Sequence, residues 1–252
     1  AQYRLPFKKR NIIGISYTDD YRRITYDYNH FTTREDPWEI GDDDIVNTMF
    51  SFEYGLRSSP RKEWALSYLF DWTNNIESSI YLRHNTLFSN NDLPLYKDGK
   101  SLKSISQQSV TFSTRFSFGE RKYEDHLQRI YIHNTKPVLY GTIELGETVA
   151  DGRTYSYGKY LASLKQSIRL GIGEFNYLLE TGVVTGKMPY PLLEITSRTS
   201  PKGISYFNYH NMNLMEFASD NYFRIHSEFI FNGILFNHIP LIKHLNLREV
   251  IA

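Results

Sequence analysis

Between residues 109 and 118 the chain reads SVTFSTRFSF. Val110, Phe112, Thr114, Phe116 and Phe118 fall on one parity, and Ser109, Thr111, Ser113, Arg115 and Ser117 on the other. A period of two predicts a strand with one dry face and one wet face. The same alternation recurs in KEWALSYLFDW, where Trp64, Leu66, Tyr68, Phe70 and Trp72 share a face. It returns in YLASLKQSIRL (160–170), EFNYLLETGVV (174–184) and YFRIHSEFIF (222–231). Further strands are predicted near 10–17, 21–31, 44–56, 76–86, 136–147, 204–218 and 245–252, roughly a dozen in all, with no amphipathic helix.

The links fall into two sizes. Tight turns are predicted at 18–21, 73–75, 170–174 and 219–221, where Gly, Asn and Asp gather. Longer polar links are predicted at 32–43, 87–105, 119–135, 148–156, 185–203 and 233–244. Short turns at one end and long loops at the other are how outer-membrane barrels are built. In such a barrel the apolar face meets lipid and the polar face lines the interior, whereas in a soluble barrel or sandwich the apolar face turns inward.

Three features bear on this choice. The ionisable residues in mid-strand, among them Lys165, Arg169, Glu180, Arg224 and Glu228, are allowed by either orientation. Trp64 and Trp72 bracket one dry face; at about 3.3 Å per residue and a tilt near 40° their separation is roughly 20 Å along a barrel axis, close to the band between aromatic girdles. A strand as long as 157–170 exceeds the usual globular length and suits a tilted crossing. The pattern therefore favours an all-β, antiparallel transmembrane β-barrel of outer-membrane type.

Composition narrows the function. Lys plus Arg (29) nearly balances Asp plus Glu (28), so there is no electrostatic reason to expect nucleic acid. Tyr (20), Phe (16) and Trp (3) make up 15% of the chain, which suits strands and aromatic girdles. No apolar run reaches the length of a membrane helix, which leaves a barrel open. Cysteine is absent, removing disulfides, thiolate metal sites and a Cys nucleophile.

Several stretches resemble a known family: RFSFGER (115–121), YGTIELG (140–146), GVVTGKMPYPLLEI (182–195), NLMEFASDNYF (213–223) and FNGILFNHIPLIKHLNLREV (231–250). They resemble the C-terminal barrel of a Bacteroidetes outer-membrane family of unknown function, whose members carry an N-terminal carboxypeptidase-regulatory-like sandwich. The resemblance implies an integral outer-membrane barrel spanning 1–252 as one domain, a piece lacking the N-terminal domain and the closing strands. It implies no peptidase, since that sandwich is a non-catalytic accessory, and no assigned activity. A more distant likeness to the surface-antigen superfamily of assembly and translocation barrels is one of architecture, and its Val-Arg-Gly-Phe motif is missing here.

Candidate chemistry is sparse. The eight histidines are scattered without zinc spacing, LGIGE lacks a phosphate-loop pattern, and no Gly-x-Ser-x-Gly elbow occurs. ERKYEDHLQR (120–129) offers carboxylates beside His126 that could hold a cation, but reads more simply as a solvated loop. His226, between Arg224 and Glu228 on a wet face, is the one histidine placed for hydrolysis, and a polar ladder is the plainer reading. Glu216 and Asp220 flank a hairpin, where turn chemistry accounts for Asp220. Arg115 and Glu120 are placed to pair in a wet interior, alongside Glu180. The expectation is a non-enzymatic outer-membrane protein without cofactor or metal, used in transport, assembly or surface anchoring. Its partners are outer-membrane lipid and a periplasmic or surface protein; the alternatives are a barrel hydrolase and a soluble β-domain for binding.

Overall fold

The computed structural model describes residues 1–23, 58–91, 93–97, 99–125, 127–132, 135–195, 217–231, 233, 236–238, 244 and 249–251. The strands are β1 (Gln2–Arg4), β2 (Asn11–Arg23), β3 (Ser58–Thr73), β4 (Ile76–Phe88), β5 (Leu95–Lys97), β6 (Lys100–Leu102), β7 (Ser104–Ser117) and β8 (Lys122–Asp125). They continue with β9 (Gln128–Tyr131), β10 (Val138–Ala150), β11 (Arg153–Leu170), β12 (Gly173–Gly186), β13 (Glu194–Ile195), β14 (Ala218–Ser219), β15 (Asn221–Phe231) and β16 (Val250–Ile251). Two 3-10 turns, Tyr190–Leu192 and Phe236–His238, are the helical pieces among the described residues. The protein is all-β, as the alternation predicts.

Ten strands form one antiparallel sheet in the order β1-β2-β3-β4-β7-β10-β11-β12-β15-β16, an up-and-down path along the chain. Three two-stranded sheets, the hairpins β5–β6 and β8–β9 and the pair β13–β14, sit in the links between its strands. Among the described residues no pairing joins β1 to β16, and the closure expected of a barrel is not found. The predicted strand at 44–56 and most of those at 21–31, 204–218 and 245–252 lie outside the described residues.

The register settles which face is covered. On β7, Gln107, Ser109, Thr111, Ser113, Arg115 and Ser117 are buried, while Val110 is 50% and Phe112 37% exposed. The neighbouring strands repeat this: Leu66, Leu82 and Leu145 stand beside Val110 in one exposed row with Ile15. A second row runs Ile13, Tyr68, Ile80, Phe112, Ile143, Tyr160 and Val183. The sheet thus exposes its apolar side and encloses its polar side, the reverse of an ordinary soluble core.

The apolar band also runs obliquely to the strands. On β3 it spans Trp64 to Trp72 and on β15 it spans Phe223 to Phe231. Pairing puts Trp64 in the row of Gln108 but Phe223 in the row of Thr114. The drift is about one residue per strand, which at the standard strand spacings is a tilt of roughly 35°.

Turns differ from expectation in two places. The TDDY segment at 18–21 continues β2, because Asp19 and Asp20 stand opposite Lys62 and Arg61 of β3 and a ladder of opposite charges outweighs their turn preference. Residues 148–156 are not a long link: Asp151 (φ 54) and Gly152 (φ 68) close β10 onto β11 as a two-residue turn with both φ positive. Tight turns therefore occur at both ends of the sheet. One end carries the turns at 74–75 and 171–172 with the link 118–137, and the other carries 151–152 with the links 24–57, 89–103 and 187–220.

Candidate functional site

Pairing brings Asp71, Glu77, Arg115, Tyr140, Ser163, Glu180 and Arg224 into a single row on the polar face. Three of the residues singled out in the sequence, Arg115, Glu180 and Arg224, thus share a row that spacing alone does not reveal. The buried Arg115 guanidinium donates to both carboxylate oxygens of Glu120, at 2.6 and 2.8 Å. The same guanidinium lies 3.9 Å from the ring centroid of Tyr131, and its Nη1 is 3.7 Å from Glu77. Water therefore screens the Arg115–Glu120 pair less than a wet lumen would.

Glu77 is the hub of this end. Its carboxylate takes Lys122, Arg129 Nη1 at 3.0 Å and the Tyr131 hydroxyl at 2.6 Å. Lys122, Arg129 and Tyr131 all come from β8 and β9, so ERKYEDHLQR is no solvated loop but a hairpin folded over the polar face. Arg129 holds Asp71 through a two-pronged pair at 3.0 and 2.7 Å and also binds Glu124, which pairs with Arg4. Arg10 donates to the Leu127 carbonyl at 2.9 Å. Burial opposes the charge on Glu124, but the Arg129 hydrogen bond and the positive charges of Arg129, Arg4 and Arg10 hold its carboxyl below the ordinary range. Burial also opposes charge on Arg129, and Asp71, Glu77 and Glu124 more than restore it, raising its value further.

A second cluster lies between β11, β12 and β15. Arg224 pairs with Glu180 and, at 2.8 Å, with Glu194 of β13; Lys159 completes the bridge to Glu194 at 3.1 Å. Tyr222 donates to Glu180 at 3.1 Å. Between the two clusters, Glu144 accepts from Tyr157 at 2.5 Å, Gln107 at 3.1 Å and Thr111 at 3.3 Å. Tyr157 stands opposite Gly146, where a Cβ would come within 2.7 Å of its hydroxyl, so the missing side chain makes room for the ring.

His226 faces Leu178 across the β12–β15 ladder, with Asn176 and Glu180 on the flanking rows, and no Ser or Thr stands directly opposite. Glu228 faces Asn176. Asp220 lies at the bend between β14 and β15 and its carbonyl accepts from the Val184 amide at 2.6 Å. Glu216 and His126 lie outside the described residues. No group of three or more His, Cys, Asp or Glu able to hold a metal occurs among the described residues. Sequence reasoning missed Glu77, Glu144, Glu194 and Arg129. Strand parity was a signal for Glu77 and Glu144 alone, which it places on the wet side.

Opposite the charged end, Leu87, Ile105 and Ala150 of the sheet bury against Leu93, Leu95 and Leu102 of the 89–103 link, and Tyr155 and Leu192 pack on them. Each end of the polar face is thus covered by the chain's own links, one through ion pairs and the other through an apolar plug.

Fold and interior together define the class: an all-β protein with an antiparallel up-and-down sheet, an exposed apolar band and a polar interior packed by its own hairpins. Residues 46–252 match the C-terminal domain of a family described as "Family of unknown function (DUF5686)". The chain belongs to that family. No curated protein and no solved structure matches it.

Proposed function

We propose that this chain is the lipid-facing wall of an integral outer-membrane β-barrel, non-enzymatic, which anchors or helps assemble a periplasmic or surface partner. The observation that carries this is the inverted sheet. The exposed apolar band crosses eight strands, from β2 to β15, and covers on the order of 700 Å² in projection, beyond what a soluble monomer usually leaves to water. Its tilt of roughly 35° to the strands matches membrane barrels.

Within transport, assembly and anchoring, the packed interior favours the last two. An open diffusion pore needs a wet channel, and here hairpins from both ends lie on the polar face. The resemblance to Bacteroidetes outer-membrane proteins with a regulatory-like domain ahead of the barrel belongs to the same reading. The hydrolase alternative draws little support from His226, which has Leu178 across the ladder.

The test is alkaline-carbonate washing of native membranes holding the full-length protein, followed by gel migration with and without boiling. Retention with a heat-dependent shift is the expected result. Release into the wash overturns the reading and returns the chain to the soluble binding domains, with the apolar band as a protein interface.

A further inference from the structure

At the end that carries the long links, the β5–β6 hairpin, the β10–β11 turn and residues 187–191 surround a cavity of about 760 Å³. Its floor is apolar, formed by Leu95, Leu102, Ile105 and Ala150. Its wall carries Lys97, Arg153 and Lys187, each from a different segment, and no carboxylate is among the described residues lining it. Tyr155 and Tyr190 add ring faces, and Lys97 lies 4.4 Å from the Tyr155 centroid, bonded to its hydroxyl.

These features differ from the rest of the interior. On the polar face the cations lie against carboxylates, as Arg115 does with Glu120 and Arg224 with Glu194. Here Lys97, Arg153 and Lys187 line one concave space with an apolar base, and no carboxylate is among its described lining residues. The volume falls in the range of about 300–1,000 Å³ typical of small-ligand sites. Convergent cations select an anion, and tyrosine rings above an aliphatic floor select a flat or ring-shaped body.

We infer that this cavity binds a small ring-bearing anion, a carboxylate or phosphate carried on a sugar or aromatic ring. The charged group is held by Arg153, Lys187 and Lys97, and the ring packs over the floor beside Tyr155 and Tyr190. The inference does not depend on the membrane reading, because binding is measured on detergent-purified protein whatever its extraction behaviour.

The test is fluorescence anisotropy of the full chain with 4-methylumbelliferyl glucuronide, 4-methylumbelliferyl phosphate and, as the neutral control, 4-methylumbelliferyl glucoside. At least one anionic probe is expected to bind about tenfold or more tightly than the glucoside, and less tightly as salt rises. The double variant Arg153→Ala with Lys187→Ala is expected to lose that preference. Both side chains are exposed, so the variant should keep its strand content by circular dichroism. If it does not, Arg153→Gln and Lys187→Gln are measured singly. Binding confined to the phosphate probe still supports the inference and narrows the anion. Equal binding of anionic and neutral probes, no binding by any probe, or unchanged preference in a folded variant overturns it.

Discussion

Glu77 holds three cations at once, and that count decides what its loss costs. Lys122, Arg129 and Arg115 all approach its carboxylate in a nearly dry setting. Replacing it by alanine takes the carboxylate from Lys122 and leaves Arg115 and Arg129 to Glu120, Asp71 and Glu124 alone, and breaking a buried pair in this way costs about 3–5 kcal/mol. Lys62 is a useful contrast: its bridge to Asp19, 3.5 Å long, has both side chains about half exposed. Lys62→Ala is therefore expected to cost under about 1 kcal/mol. Urea unfolding of both variants in the same detergent measures the difference, and equal costs would contradict the dry interior.

Phe112 and Ser113 are neighbours on opposite faces. Phe112→Arg places a charge in the middle of the apolar band and is expected to cost roughly 2–4 kcal/mol in lipid. Were that face in water, the same change would fall within about 0.5 kcal/mol. A wet lumen would tolerate Ser113→Arg, but Ser113 is 1% exposed and shares a 2.9 Å hydrogen bond with Thr142. The packed interior predicts that Ser113→Arg destabilises as well, by overpacking and by burying an unpaired charge. Refolding titrations into lipid vesicles measure both.

At the scale of elements, the β8–β9 hairpin is the piece whose attachment should depend on pH. Glu124 has a depressed carboxyl and a partly exposed side chain. Its contribution is present above the ordinary carboxylate range and is lost as pH falls through its lower folded value. Arg129 stays charged throughout that interval, so acidification removes only the acidic half of the pair. Hydrogen exchange across 118–137, corrected for intrinsic rates, is expected to quicken as pH falls below the ordinary carboxylate range. Glu124→Gln should already show part of that loosening at neutral pH and a weaker pH response. An unchanged response in the variant would show that other carboxylates set the hairpin's attachment.

The same hairpin shows how far the sequence could be read. The strands at 62–72, 76–86, 109–118, 136–147, 157–170 and 174–184 were legible because parity is a local property, and SVTFSTRFSF states its two faces outright. The turn at Asp151–Gly152 was also legible, as an Asp-Gly pair between alternating runs, yet the surrounding polar residues made it look like part of a longer link. Asp19 and Asp20 misled in the other direction, since their turn preference is local while their partners Arg61 and Lys62 lie across the ladder. The row joining Asp71 to Arg224 was not legible, because it exists only once six registers are set. Nor was the inward fold of ERKYEDHLQR, whose charges read as solvent-loving until Asp71, Glu77 and Arg10 are seen to receive them.

For the whole molecule, the question is whether the interior conducts. One end of the polar face is covered by the ion-paired β8–β9 hairpin, the other by the apolar cluster around Leu95 and Leu102, with Glu194 bridging Lys159 and Arg224. If the sheet is the barrel wall proposed above, a barrel sealed in this way should pass little current although its lining is polar. The two seals differ in kind, and so do the conditions that release them: carboxylate pairs yield to low pH, apolar packing does not. Reconstituted in planar bilayers, the full-length protein is expected to be nearly silent at neutral pH. Replacing 119–135 by a two-residue Asn-Gly turn removes one seal and should raise conductance, further when Leu95→Asp and Leu102→Asp open the other. Open-pore currents from the unaltered protein would overturn the plugged interior and return transport to first place among the proposed roles. Silence in every variant that still shows heat-modifiable migration would mean that the side chains lining the sheet close the path without the hairpins.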